Sequence, residues 1–182
     1  MLDRRLPDCV ALQVRGKNVE GVGEITIRDL VRNALRMRPT RIIVGEVRGA
    51  EALDMLLAMN TGHEGSLTTI HGNSPRDALD RLATLAMMAG ERLGGDELVR
   101  MVSRTIELVV QLRITSRSGQ RRVASIFEVT GVDGGVISGH EIFGLDQGRL
   151  VWKGRPPRCL ERIAAHGVDY ALPVGVSAEG LT

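Results

Sequence analysis

From Thr26 to Ile106 the chain alternates amphipathic helical stretches with short apolar runs, and that order restricts its fold more than any other feature. Thr26 and Asp29 have capping-box spacing, and Ile27, Leu30, Val31, Ala34 and Leu35 recur on one helical face. Pro39 stops that helix. Arg41 to Val47 reads as a buried strand in a parallel sheet. A second helix, about Ala50 to Asn60, groups Leu53, Leu56 and Leu57 and ends near Gly62. A second buried strand, about Ser66 to Ile70, ends at His71. Ser74-Pro75-Arg76-Asp77 then combines an N-cap, a first-turn proline and a capping-box acid. It opens a helix through Leu79, Leu82 and Ala86 to Gly90, where Met87 and Met88 read as core. Asp96 is placed to cap another helix, with Leu98, Val99, Val102 and Ile106 on its apolar side. Helices between apolar strands imply an α/β chain of parallel strands joined by crossover helices.

The texture changes after Ile106, which divides the chain into 1–106 and 107–182. Glu107 to Ile114, Arg121 to Val132, Val136 to Phe143 and Arg149 to Lys153 are strand-like. Ser116-Arg117-Ser118-Gly119, Asp133-Gly134-Gly135 and Asp146-Gln147-Gly148 separate them as hairpin turns, which predicts an antiparallel meander. A short helix, about Arg158 to Ala165, and a weakly patterned tail follow; the first ~20 residues give no clean pattern.

Composition narrows the function. With 43% apolar and 25% charged residues in 182, the chain has the make-up of a folded domain rather than a disordered one. No apolar run approaches the ~20 residues of a membrane-spanning helix, and no signal-peptide core follows Met1-Leu2-Asp3-Arg4-Arg5, which points to a soluble, cytoplasmic chain. Cys9 and Cys159 match no metal or redox spacing and read as incidental thiols. A net charge of +2, with Phe127, Phe143, Trp152 and Tyr170 the only aromatics, offers neither a basic footprint nor a stacking platform for nucleic acid. Of the 24 basic residues only Lys17 and Lys153 are lysines, the residue a phosphate loop normally requires.

Two places could carry chemistry. Glu46 is a carboxylate at the end of an apolar strand, where ligands bind in open α/β sheets; there it could hold a metal-bound water or polarise an attacking one. It could equally be a strand-end acid paired with Arg48. The second place is Thr61 to Ser74, which sets His63, His71, three threonines and Asn73 around one short strand. His71 ends its strand as Glu46 does, so both side chains could face one crevice and meet a phosphate oxygen or water. A core or capping role is the alternative for each histidine, and zinc is disfavoured because no third ligand sits at a usual spacing.

Together these residues say more than any one of them. Arg41-Ile42-Ile43-Val44-Gly45-Glu46-Val47-Arg48-Gly49 resembles the Walker B segment of the type II/type IV secretion ATPases, and Thr61 to Ser74 resembles that family's His box. Asn60-Thr61-Gly62-His63 and Arg32-Asn33-Ala34-Leu35-Arg36-Met37-Arg38-Pro39 look most like the tight-adherence (Flp-type) pilus ATPases; the similarity runs from about Leu6 to Leu160. The resemblance implies part of a RecA-like core followed by the meander and a C-terminal helix. It further implies a hexameric ATPase on the cytoplasmic face of the inner membrane that uses ATP and Mg2+ to drive pilus assembly or export with platform proteins. By motif, Glu46 would coordinate Mg2+ or activate water, and His71 with His63 would sense the γ-phosphate or the subunit interface. Arg48 would brace the Walker B turn, and Thr69 would line the nucleotide.

The departures are as informative. The family's G-x-x-x-x-G-K-[ST] loop is absent: Gly16-Lys17 is present, but Ala11 stands for the first glycine and Asn18 for the Ser/Thr. Without that loop no backbone nest and lysine cradle the β- and γ-phosphates. The family's acidic Asp box and N-terminal domain are also missing. The expectation is therefore the C-terminal part of such an ATPase, inactive alone, or a non-catalytic module that joins its ring or a pilus complex.

Overall fold

The computed structural model describes residues 8–90, 92–114 and 119–168. Two compact units emerge: residues 1–70 with 84–92, and residues 71–83 with 93–182.

In the first unit, helix α1 (Ile27–Leu35) begins at the expected capping box. The Asp29 amide donates to Thr26 Oγ1 at 3.2 Å and the Thr26 amide to Asp29 Oδ2 at 2.9 Å. Val31 is buried and the other apolar residues of its face are half-buried. Arg38, with φ +52, turns the chain into Pro39. Strand β1 (Ile43–Val44) and helix α2 (Glu51–Met59) follow, then strand β2 (Leu67–Thr68). The two strands pair in parallel, Ile43 with Leu67 and Val44 with Thr68. Leu67 N–H to Ile42 O and Val47 N–H to Thr69 O carry the pairing past both ends of that ladder. The parallel sheet is as expected; its complete burial is not. Ile42, Val44 and Val47 are buried, but Ile43 and Leu67 are 44% and 61% exposed. A continuous apolar run shows that a strand could be covered on both faces, not that both covers are present.

Helix α2 departs from expectation at one leucine. Leu53 and Leu56 are buried as expected, whereas Leu57 is exposed. Ala52, Asp54, Met55 and Ala58 are buried as well, so the helix is enclosed nearly all round. In so apolar a segment periodicity does not reveal which narrow strip stays open. Upstream, where no pattern was legible, a small loop closes on an isolated antiparallel bridge between Arg15 and Ile25. Asn18 Oδ1 accepts from the amides of Glu20 and Val22 within it.

Helix α3 (Pro75–Met87) starts as predicted, the Asp77 amide donating to Ser74 Oγ at 3.1 Å. Its residues to Ala83 belong to the second unit and those from Thr84 to the first. Ala78, Leu79, Leu82, Ala83, Leu85 and Ala86 carry its burial. Met87 and Met88 are exposed, contrary to the core expectation, because they lie at the last turn, where the chain leaves the packed face at Gly90. Helix α4 (Gly95–Thr105) is capped by Gly94 in extended conformation instead of by Asp96, which sits inside the first turn and complements the helix dipole there.

Strands β3 (Leu108–Ile114), β4 (Arg121–Asp133), β5 (Val136–Asp146) and β6 (Arg149–Trp152) form the expected antiparallel meander in that order. Gly134 and Gly135 both have positive φ, as do Gln147 and Gly148, which is the backbone that two-residue hairpin loops with the sheet's own twist require. The expected turn at Ser116 to Ser118 lies outside the described residues. Leu98 and Val102 of α4 pack with Ala124, Phe127, Val129, Ile137 and Ile142 as the unit's core. That packing is why compactness assigns α4 to the meander, although helices give way to strands only at residue 106. Helix α5 (Leu160–Ala165) is clasped to the sheet by two carboxylates. Glu128 accepts from the Arg158 amide at 2.7 Å, and Glu107 binds the Arg162 guanidinium through both oxygens at 2.5 Å. Cys9 and Cys159 are free thiols, and no helix among the described residues is long and apolar enough to cross a membrane.

Candidate functional site

Glu46 stands two residues beyond β1, its side chain 25% exposed. One carboxylate oxygen pairs with the Arg48 guanidinium at 2.5 Å, and that hydrogen bond and charge hold the arginine's pKa above its already high value. The turn after Glu46 is itself fastened. Glu51, the first residue of α2, accepts from the amides of Arg48 at 2.8 Å and Gly49 at 3.0 Å. An acid in a helix's first turn is a legible signal, so Glu51 could have been picked out from sequence and was not.

Thr69, the residue after β2, supports the same segment. Its hydroxyl donates to Gly45 O at 2.6 Å while its carbonyl accepts from Val47 N–H at 3.0 Å. The backbone on both sides of Glu46 is thereby tied to one threonine, which orients the carboxylate. His63 Nδ1 lies 2.9 Å from Ala58 O, placing the ring as a cap on the last turn of α2. The loop closes further through Ser66, whose hydroxyl donates to His63 O and accepts from Ile42 N–H. An open depression of about 570 Å3 lies alongside, lined by Pro39, Thr40, Arg41, Gly62 and Glu64.

Glu46, Arg48, His63 and Thr69 therefore belong to the first unit, while His71 opens the second. His71 is exposed, and the loop behind it is tightly built. A Cβ at Gly72 would fall 2.8–2.9 Å from Ala78, so only glycine fits against the first turn of α3. Gly72 O accepts from Gln111 Nε2 at 3.0 Å, and the Asn73 amide donates to Asp77 Oδ2 at 2.6 Å. Gln111 and Arg76 escaped the sequence reading because neither belongs to a chemical motif.

Among the described residues no three His, Cys, Asp or Glu side chains gather as a metal site. Glu46 suits a different arrangement, since Mg2+ is commonly bound by one or two carboxylates with the remaining ligands from phosphate and water. Gly16-Lys17 does not lead into a helix: Lys17 pairs with Glu24 at 3.8 Å inside the small N-terminal loop, and α1 begins only at Ile27.

Against known proteins, residues 5–137 match the family model "Type II/IV secretion system protein". The chain belongs to that family. It is 44% identical over 132 residues to a putative conjugal transfer protein of Mycobacterium tuberculosis, a match covering 72% of this chain and 37% of the relative. It is 35% identical over 130 residues to the conjugal transfer protein TrbB of Rhizobium radiobacter, covering 69% and 38%. Among solved structures, the VirB11 ATPase from the Brucella suis type IV secretion system, crystallised with sulphate, is similar with a TM-score of 0.54 and 31% identity. That match covers 57% of this chain and 32% of the ATPase. The chain spans less than two fifths of the length of these relatives. The family and the mixed α/β architecture expected from sequence are both met.

Proposed function

We propose that this chain carries the Walker B and His-box part of a secretion or pilus-assembly ATPase, and that the phosphate-gripping loop is contributed by polypeptide other than these 182 residues. The observation that supports this most is Glu46: a carboxylate just beyond a parallel strand, braced by Thr69, Arg48 and Glu51, within the family match. Glu46 would hold Mg2+ through a water bound to the metal or would orient the attacking water, and Mg2+ would supply charge neutralisation on the phosphates when bound. His71 senses the γ-phosphate or the subunit interface. His63 and Thr69 act on the nucleotide through the segments they tie down, and Arg48 steadies the turn. Residues 1–106 contribute to the RecA-like core and 107–182 form its β-rich subdomain. The working form is a homo-hexamer of the tight-adherence type, cytoplasmic and peripheral to the inner membrane, with platform proteins as partners and no nucleic acid.

The ion pair between Glu46 and Arg48 favours a second reading, a non-catalytic module that joins such a ring. One comparison separates them. Fused to a P-loop half from a close relative, the chain should hydrolyse ATP, and Glu46→Gln should remove most turnover while sparing ATP binding. Turnover within about threefold of the unsubstituted fusion would favour the module.

A further inference from the structure

We propose that Arg76 and Gln111 are positioning residues for His71, through which the C-terminal meander holds the histidine's loop. His71 to Ala83 form one compact unit with the meander. Two side chains make the join. Gln111, on the half-buried side of β3, donates its Nε2 to Gly72 O at 3.0 Å, one residue from His71. Arg76, in the first turn of α3, reaches β5 and donates Nη1 to Ile137 O at 2.9 Å and Nη2 to Gly139 O at 3.2 Å. Its guanidinium carbon lies 5.2 Å from the centroid of the Phe127 ring, a cation–π distance.

The arrangement is specific to these side chains. A planar fork with fixed donors can take two carbonyls of one strand while stacking on an aromatic face; lysine offers a single point charge. Gly139 makes the stack possible, because a Cβ there would strike the Phe127 ring and the Glu128 carbonyl. Gly72 does the same for the loop, lying against Ala78 where no Cβ fits. These fixed points tie the segment immediately after His71 to the sheet. A histidine that reports on a phosphate must be held to a fraction of an ångström, and packed elements hold side chains better than loops do. The meander thus has a task beyond closing the fold: it sets where His71 stands.

The placement stands on geometry; only its consequence for hydrolysis rests on the ATPase reading above. Hydrogen exchange on the whole chain tests the placement, with Arg76→Ala, Arg76→Lys and Gln111→Ala. In the two alanine variants, the amides of residues 72–74, 76 and 77 should exchange about tenfold faster or more, while those of β4 and β5 stay within about twofold. Arg76→Lys should lie between wild type and Arg76→Ala. Unchanged exchange at 72–77, or equal acceleration throughout the sheet, overturns the proposal. In the P-loop fusion, Arg76→Ala should lower kcat about tenfold with KM for ATP nearly constant, and should add nothing to His71→Ala. Additive losses also overturn it. If His71→Ala leaves hydrolysis intact while exchange behaves as expected, the ATPase role of His71 fails and the positioning stands.

Discussion

Asp54→Ala should destabilise the first unit out of proportion to the few atoms removed. Asp54 lies on α2 with 8% of its surface exposed, and it receives two arginines from one face of α1. Arg32 Nε donates to Oδ1 at 2.9 Å and Arg28 Nε pairs with Oδ2. Losing one partner of a fully buried pair costs about 3–5 kcal/mol, and losing an exposed pair about 0–1 kcal/mol. The cations are intermediate: the Arg32 side chain is 58% exposed and that of Arg28 29%. Arg32 can return to water almost freely, Arg28 only in part. Asp54→Ala should therefore cost about 1.5–3 kcal/mol, Arg28→Ala about 1–2, and Arg32→Ala under about 1. Added salt should shrink only the Arg32 effect, because exposed charges are the ones it screens. Urea unfolding followed by far-ultraviolet circular dichroism gives the three values. An Asp54→Ala cost below about 0.5 kcal/mol, or an Arg32→Ala cost equal to it, would refute the reasoning.

Three further outcomes follow from single contacts. Gly139→Ala should cost at least about 1–3 kcal/mol, because the new Cβ meets the Glu128 carbonyl and the Phe127 ring; Trp152 fluorescence during unfolding measures it. The Thr26 hydroxyl and amide hold the Asp29 carboxyl below the usual range. This cap therefore stabilises α1 above ordinary carboxylate pKa values and is lost as pH falls through the depressed folded value. A carboxylate NMR titration should show that depression shrink in Thr26→Ala, which removes the hydroxyl and keeps the amide donor. Leu108, Val110, Leu112 and Ile114 are all exposed on β3, which among the described residues pairs only with β4. Leu112→Lys should lower self-association of the chain in analytical ultracentrifugation, and an unchanged distribution would show that this edge is not what associates.

The elements and their order are legible along the chain alone. Thr26 and Asp29, Ser74-Pro75 and the turn pairs Gly134-Gly135 and Gln147-Gly148 act within a few residues, where capping and turn geometry need no distant partner. The sequence also showed Glu46 at a strand end, because a charge ending an apolar run is visible in one dimension. Which surface covers which depends on the folded chain. Ile43, Leu57, Leu67, Met87 and Met88 read as core and are exposed, since hydrophobicity measures what a residue can bury and not whether a neighbour arrives. The supports of the chemistry were likewise invisible. Gln111 reaches Gly72 across 39 positions and Arg76 reaches Gly139 across 63, and no periodicity relates residues so far apart. A motif is local because its chemistry is local; the scaffold that aims it is assembled from wherever the fold brings backbone carbonyls within reach of a donor.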